Sequence, residues 1–85
     1  MSYAVTLLRD AQKALDKMEE AQRGRMVRAM RLLEDDPRHS GVVKMAGTEN
    51  LYRVRAGDWR IVYAIRDNEL VVIVIRIGHR REVYR

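Results

Sequence analysis

Eighty-five residues without a cysteine and with a formal charge of +5 point to one domain, spanning 1–85, with a modest core. They exclude disulfides, thiolate metal sites and a cysteine nucleophile, and favour a reducing, cytoplasmic setting. Fourteen of the 17 basic residues are arginines, and residues 41–85 carry nine basic against five acidic residues where 1–40 carry eight against seven; the expectation divides between a polyanionic partner such as nucleic acid and a basic surface that is merely solvated.

The first nine residues lack a basic stretch leading into a long apolar run, so no signal peptide is expected. Tyr3 to Leu8 has the β-branched, apolar character of a short strand. Asp10 is a plausible N-cap for a helix with Ala11, Ala14, Leu15 and Met18 on one stripe. Glu19-Glu20 marks a break. A second helix follows, with Met26, Val27, Met30 and Leu33 on its stripe, weakened in its first turn by Gly24 and stopped at Asp36-Pro37. The acidic residues of both helices are expected to pair with Lys and Arg one turn away. From His39 to Asn50 the chain reads as loop.

Three strands then follow. Leu51 to Ala56 alternates; Gly57-Asp58 suits a type II′ hairpin turn; Trp59 to Arg66 is the next strand. Asp67-Asn68 suits a type I′ turn, and Leu70 to Ile77 has the β-branched run of a central strand covered on both faces and ended by Gly78. The longest apolar run, Leu70 to Ile75, is far too short to cross a bilayer, and no membrane association is expected. The fold class is α+β in the order β-α-α-β-β-β, a mostly antiparallel four-stranded sheet with an αα-hairpin packed on one face.

The hairpin turn sets a register with Arg55 opposite Arg60, Val54 opposite Ile61 and Tyr52 opposite Tyr63. Alternation gathers Arg53, Arg55 and Arg60 on one face, around Val62, Ala64, Ile73 and Ile75. Tyr52, Val54, Ile61, Tyr63 and Ile65 form the apolar face for the helices. Like charges directly opposite one another destabilise a strand pair. An anion site would turn that repulsion into attraction; two side chains splayed into water are the plainer alternative. The tail adds Arg76, Arg80, Arg81 and Arg85 around Tyr84, and an aromatic ring among arginines suits single-stranded RNA. His79 could act as an acid or base near neutral pH, although exposed polar surface is the commoner role. His39 is a weaker candidate. No metal-ligand spacing, phosphate-cradling Gly-rich loop or serine nucleophile motif is present in the sequence.

The segment Leu51-Tyr52-Arg53-Val54-Arg55-Ala56-Gly57-Asp58-Trp59-Arg60-Ile61-Val62-Tyr63 resembles the central hairpin of the RelE toxins of the RelE/ParE superfamily. Ile77-Gly78-His79-Arg80-Arg81-Glu82-Val83-Tyr84-Arg85 resembles their C-terminal signature, and Lys44-Met45-Ala46-Gly47 their approach to the hairpin. The resemblance implies the toxin of a type II toxin–antitoxin pair, an endoribonuclease that enters the ribosomal A site, contacts small-subunit rRNA and cuts the messenger. The implied reaction is attack of a ribose 2′-OH on the adjacent phosphate, without metal or cofactor. The implied partners are a cognate antitoxin, the ribosome with its mRNA, and operator DNA through the antitoxin complex.

By the same resemblance Arg60 stabilises charge on the phosphate, Arg80 protonates the leaving 5′ oxygen and Tyr84 stacks on or orients the base. Arg81 is an alternative match to the tail arginine. Arg53 and Arg55 stand where relatives have lysines, one of them proposed as general base. A guanidinium is a poor base, so either electrostatic stabilisation and positioning carry the reaction, or another group, Lys44 or His79, takes the proton. Lys44, His79, Arg81 and Arg85 are the further RNA-contact candidates. A ParE-like gyrase inhibitor and a homologue that has lost activity and survives as a binding partner are the alternatives.

Overall fold

β1 (Ala4–Leu7) opens the chain and is followed by α1 (Arg9–Asp16) and α2 (Glu20–Asp35). Then come β2 (Val42–Lys44), β3 (Leu51–Ala56), β4 (Trp59–Arg66), a 3-10 turn at Asp67–Glu69, and β5 (Val71–His79). The structure, a computed structural model, describes residues 2–47 and 50–79. Among these the strands form one five-stranded sheet in the order β1-β5-β4-β3-β2, with only the β1–β5 pair parallel.

The expected α+β architecture is present, with one strand more than four. β2 is the addition, inside a stretch read as loop: three residues, two of them exposed, paired at the sheet edge with Val54, Arg53 and Tyr52. A strand that short carries no alternation to read.

Both helices cover one face. Ala11, Leu15 and Met18 from α1 and the turn after it are buried with Met26, Met30 and Leu33 of α2, against Tyr52, Val54, Ile61, Tyr63, Ile65, Val72, Val74 and Ile77 of the sheet. The expected helical stripes and the expected apolar sheet face are therefore the core. α1 differs at its start, because Leu8 occupies the cap position without a side-chain hydrogen bond and Asp10 lies in the first turn. There its carboxylate meets the positive end of the helix dipole rather than capping an N–H. Arg23 joins the helices, Nη2 donating to the Met18 carbonyl at 2.6 Å and Nε to that of Leu15 at 3.3 Å. This adds a donor to carbonyls at and just beyond the end of α1, where the helix's own N–H groups run out. α2 stops at Asp36, whose carboxylate accepts from the Arg38 N–H across Pro37 at 3.0 Å.

The hairpin has the expected register, including Arg55 opposite Arg60. Gly57 takes φ +63° and Asp58 does not have a positive φ, as a type II′ turn requires. The β4–β5 connection departs from expectation. It is a 3-10 turn, and the left-handed residue is Leu70 (φ 54°) rather than Asp67 or Asn68. β5 also runs through Gly78 to His79 and is not covered on both faces by the described elements: Ile73 and Ile75 remain half-buried opposite the helices.

A bulge in β5 matters for the site. Tyr63 pairs with Val74 while Val62 pairs with Arg76, so Ile75 is the unmatched residue. Unbroken alternation from Ile73 would aim Arg76 at the core with Val72 and Val74. The extra residue reverses the phase, sending Ile77 into the core and Arg76 to the open face.

A polar staple holds the opposite end of the sheet. Arg38 pairs with both oxygens of Asp67 at 2.9 Å, Tyr3 donates its hydroxyl to the same carboxylate at 2.8 Å, and Arg38 lies over the Tyr52 ring at 5.4 Å. It is the ion pair seen among the described residues; the helical acids do not pair with nearby Lys and Arg as expected, though Asp16 accepts from Gln12. The Arg38 and Tyr3 hydrogen bonds hold the Asp67 carboxyl down at about 2, below its ordinary 3.8. A depressed carboxylate contributes stability above its unfolded value and loses it as pH falls through the folded one. The melting difference between wild type and Asp67→Asn is therefore expected in full above about pH 4 and to vanish near pH 2. A difference constant from pH 7 to pH 2 would exclude the carboxylate charge as its source. Because the pair is exposed, added salt should shrink the effect.

Candidate functional site: an arginine face on the sheet

The register places Arg53 and Arg55 of β3, Arg60 of β4 and Arg76 of β5 on the face away from the helices. Two rows cross it, Arg53–Val62–Arg76 and Arg55–Arg60–Gly78. Strands lie roughly 4.8 Å apart, so Arg53 and Arg76 stand about 10 Å apart across Val62. Arg66 and Val71 continue the face at its other end. None of the described residues that the pairing puts on this face is acidic.

Arg60 stands out by burial. It is 7% exposed and is the buried charged residue among those described. Burying a guanidinium costs several kcal/mol unless its donors are satisfied. Gly78, opposite it, contributes no side chain and is itself buried. Two backbone carbonyls orient the like-charged pair: Arg55 Nε donates to that of Gly57 in the turn at 3.1 Å, and Arg60 Nη1 to that of Trp59 at the start of β4 at 3.4 Å. The result is a dense cationic surface with fixed forks, suited to a phosphodiester and to charge developing on it.

Other candidates are placed differently. Lys44 pairs with Tyr52 and so belongs to the helix-bearing side, exposed at the sheet edge. His79 pairs with Trp59 on that same side and meets its ring edge-on, centroids 5.7 Å apart. It is a strand residue rather than part of an exposed tail. His39 is a loop residue whose Nδ1 accepts from the Gly41 N–H at 3.1 Å. Arg80, Arg81, Tyr84 and Arg85 lie outside the described residues. Arg76 is the member of the face that sequence reasoning passed over as one of the tail arginines, and no local signal announces the bulge that brings it there.

Among the described residues, four arginines share the sheet face opposite an αα-hairpin, an arrangement that could hold a polyanion. A family model described as ParE toxin of type II toxin-antitoxin system, parDE, matches residues 5–84. A putative RelE-like toxin protein of Escherichia coli is 29% identical over 82 residues, covering 94% of this chain and 85% of that protein. Among solved structures, a chain of the archaeal RelE–RelB complex from Pyrococcus horikoshii is 30% identical with a TM-score of 0.80, covering 94% of this chain and 97% of that one. The isolated Escherichia coli RelE toxin is 26% identical with a TM-score of 0.82, covering 98% and 92%. The chain belongs to the ParE toxin family of type II toxin–antitoxin systems and is a RelE-like toxin.

Proposed function

We propose that this toxin is a ribosome-dependent endoribonuclease that cuts messenger RNA in the A site, acting in the cytoplasm and held in check by a cognate antitoxin. The observation that carries the reading is the buried Arg60 gathered with Arg53, Arg55 and Arg76 on one sheet face. The RelE likeness supports it, and the Pyrococcus relative is seen in complex with RelB. In the proposed reaction the ribose 2′-OH gives up its proton to water while its oxygen forms a bond to the adjacent phosphorus and the bond to the 5′ oxygen breaks. The products are a 2′,3′-cyclic phosphate and a free 5′-OH.

Arg60 stabilises the charge gathering on the phosphate oxygens, and Arg53 and Arg55 hold the strand. Arg80 gives a proton to the leaving oxygen and Tyr84 stacks on the base, with Arg81 and Arg85 as backbone contacts. Lys44 and His79 belong to the helix side of the sheet, so the reading rests on electrostatic stabilisation and positioning rather than on either as general base. Operator DNA is reached through the antitoxin complex.

Primer extension on messenger RNA after brief expression is expected to reveal new 5′ ends within translated codons, suppressed when the antitoxin is co-expressed. The family model's ParE description favours one second reading, inhibition of DNA gyrase. Intact transcripts with a gyrase-dependent DNA-damage response would replace the first reading by this one.

A further inference from the structure

α2 carries four arginines, and only Arg23 has a structural task at the end of α1. Arg25, Arg28 and Arg31 are exposed, and none pairs with a described carboxylate although Glu20, Glu34 and Asp35 share the helix. Two of them are drawn toward the hairpin end of the molecule. Arg25 Nη1 reaches the tip so closely that a β-carbon on Gly57 would stand 3.1 Å from it. Arg28 lies back toward the start of α2, its Nη1 3.5 Å from where a β-carbon on Gly24 would be; long helical side chains lean that way. Arg55 reaches the same Gly57 from the sheet face, through its bond to the glycine carbonyl. The guanidinium groups of Arg55 and Arg25 thus flank the tip on both sides, and Arg28 continues the basic ridge along α2. Asp58 is the carboxylate within the turn.

We propose that the Arg25–Arg28 ridge and the hairpin tip form a second polyanion surface, which grips the phosphate backbone of double-helical RNA outside the cleavage face. The proposal rests on the reading that this toxin works on RNA. Sequence-tolerant single-strand binding uses aromatic platforms, and α2 contains no aromatic residue; Trp59, beside the tip, packs against the core. Guanidinium groups one helical turn apart on a rigid ridge suit duplex RNA, which proteins hold through its backbone and shape.

The test compares the full-length chain with Arg25→Gln/Arg28→Gln for binding to a blunt 20-base-pair RNA duplex and to a single-stranded RNA of equal length, across a range of salt. Removing two phosphate contacts is expected to weaken duplex binding about tenfold or more at low salt and to flatten its log–log salt slope by about 1–2. Single-strand binding should change less than twofold, because Arg53, Arg55 and Arg60 are untouched. An unchanged duplex affinity and slope would overturn the proposal. So would an unchanged duplex affinity with lost binding to an acidic peptide, which would make the ridge a protein contact. The assay involves no cleavage, so failure of the nuclease reading leaves it interpretable. Both side chains are exposed, and an unchanged melting curve verifies the fold; should the pair unfold, the single Arg25→Gln variant carries the same test with a slope change of about 1.

Discussion

Arg60→Ala is expected to lower messenger cleavage on programmed ribosomes by about a hundredfold or more, the size seen when a preorganised charge-stabilising donor is removed from an active site. Arg60 is unlike its neighbours. Arg55 is exposed and Arg53 half-buried, whereas Arg60 lies almost wholly inside the face, 7% exposed, with its Nη1 held on the Trp59 carbonyl. A charge fixed before the substrate arrives needs no reorganisation during reaction, and a low-dielectric setting strengthens its field. Arg60→Met keeps much of the apolar stem and removes the charge, which separates lost electrostatics from lost packing. Both variants should stay folded, since each also removes one member of the like-charged Arg55–Arg60 pair. Arg80→Ala is expected to show a comparable loss. Wild-type cleavage by the Arg60 and Arg80 variants would sink the site assignment.

Tyr63→Ala is expected to cost about 3–5 kcal/mol, a large part of the roughly 5–15 kcal/mol that holds a small domain together. Tyr63 is fully buried, stacks on Tyr52 with ring centroids 5.9 Å apart, and donates its hydroxyl to the Pro37 carbonyl at 2.7 Å. That bond ties the middle of β4 to the stop of α2, 26 residues earlier. Burial pushes the phenol well above its ordinary range, so it remains a donor at every working pH. Tyr63→Phe separates the terms. It keeps the ring but leaves a carbonyl without its partner, for about 1–3 kcal/mol. At about 4–8 °C per kcal/mol for a chain of this size, the two variants should differ clearly in thermal melts. Equal stability of Tyr63→Phe and wild type would show that the hydroxyl bond contributes nothing net.

Some of this molecule follows from local rules. The bounds of β3 and β4, the II′ turn, the Arg55–Arg60 pairing, the two helical stripes and the stop at Asp36-Pro37 agree with the sequence reading. Each rests on periodicity, turn chemistry or proline sterics acting over a few residues. The three arginines of the hairpin face were legible for the same reason, because one turn and a period of two decide which side each occupies.

Other features depended on contacts between distant segments. β2 exists because β3 offers it an edge. The Arg38–Asp67 pair joins residues 29 apart in the chain. Leu70 adopts a left-handed backbone that its side chain disfavours, at the end of a turn whose exit lets its carbonyl accept from Ala4. Composition alone indicated a basic, arginine-rich protein, and the hairpin register located three of those arginines on one face. Only the packed sheet, through the unmatched Ile75 in β5, turned Arg76 out to join them and His79 inward beside Trp59. A bulge is set by how neighbouring strands fit over a shared core, and no run of residues within one strand encodes that.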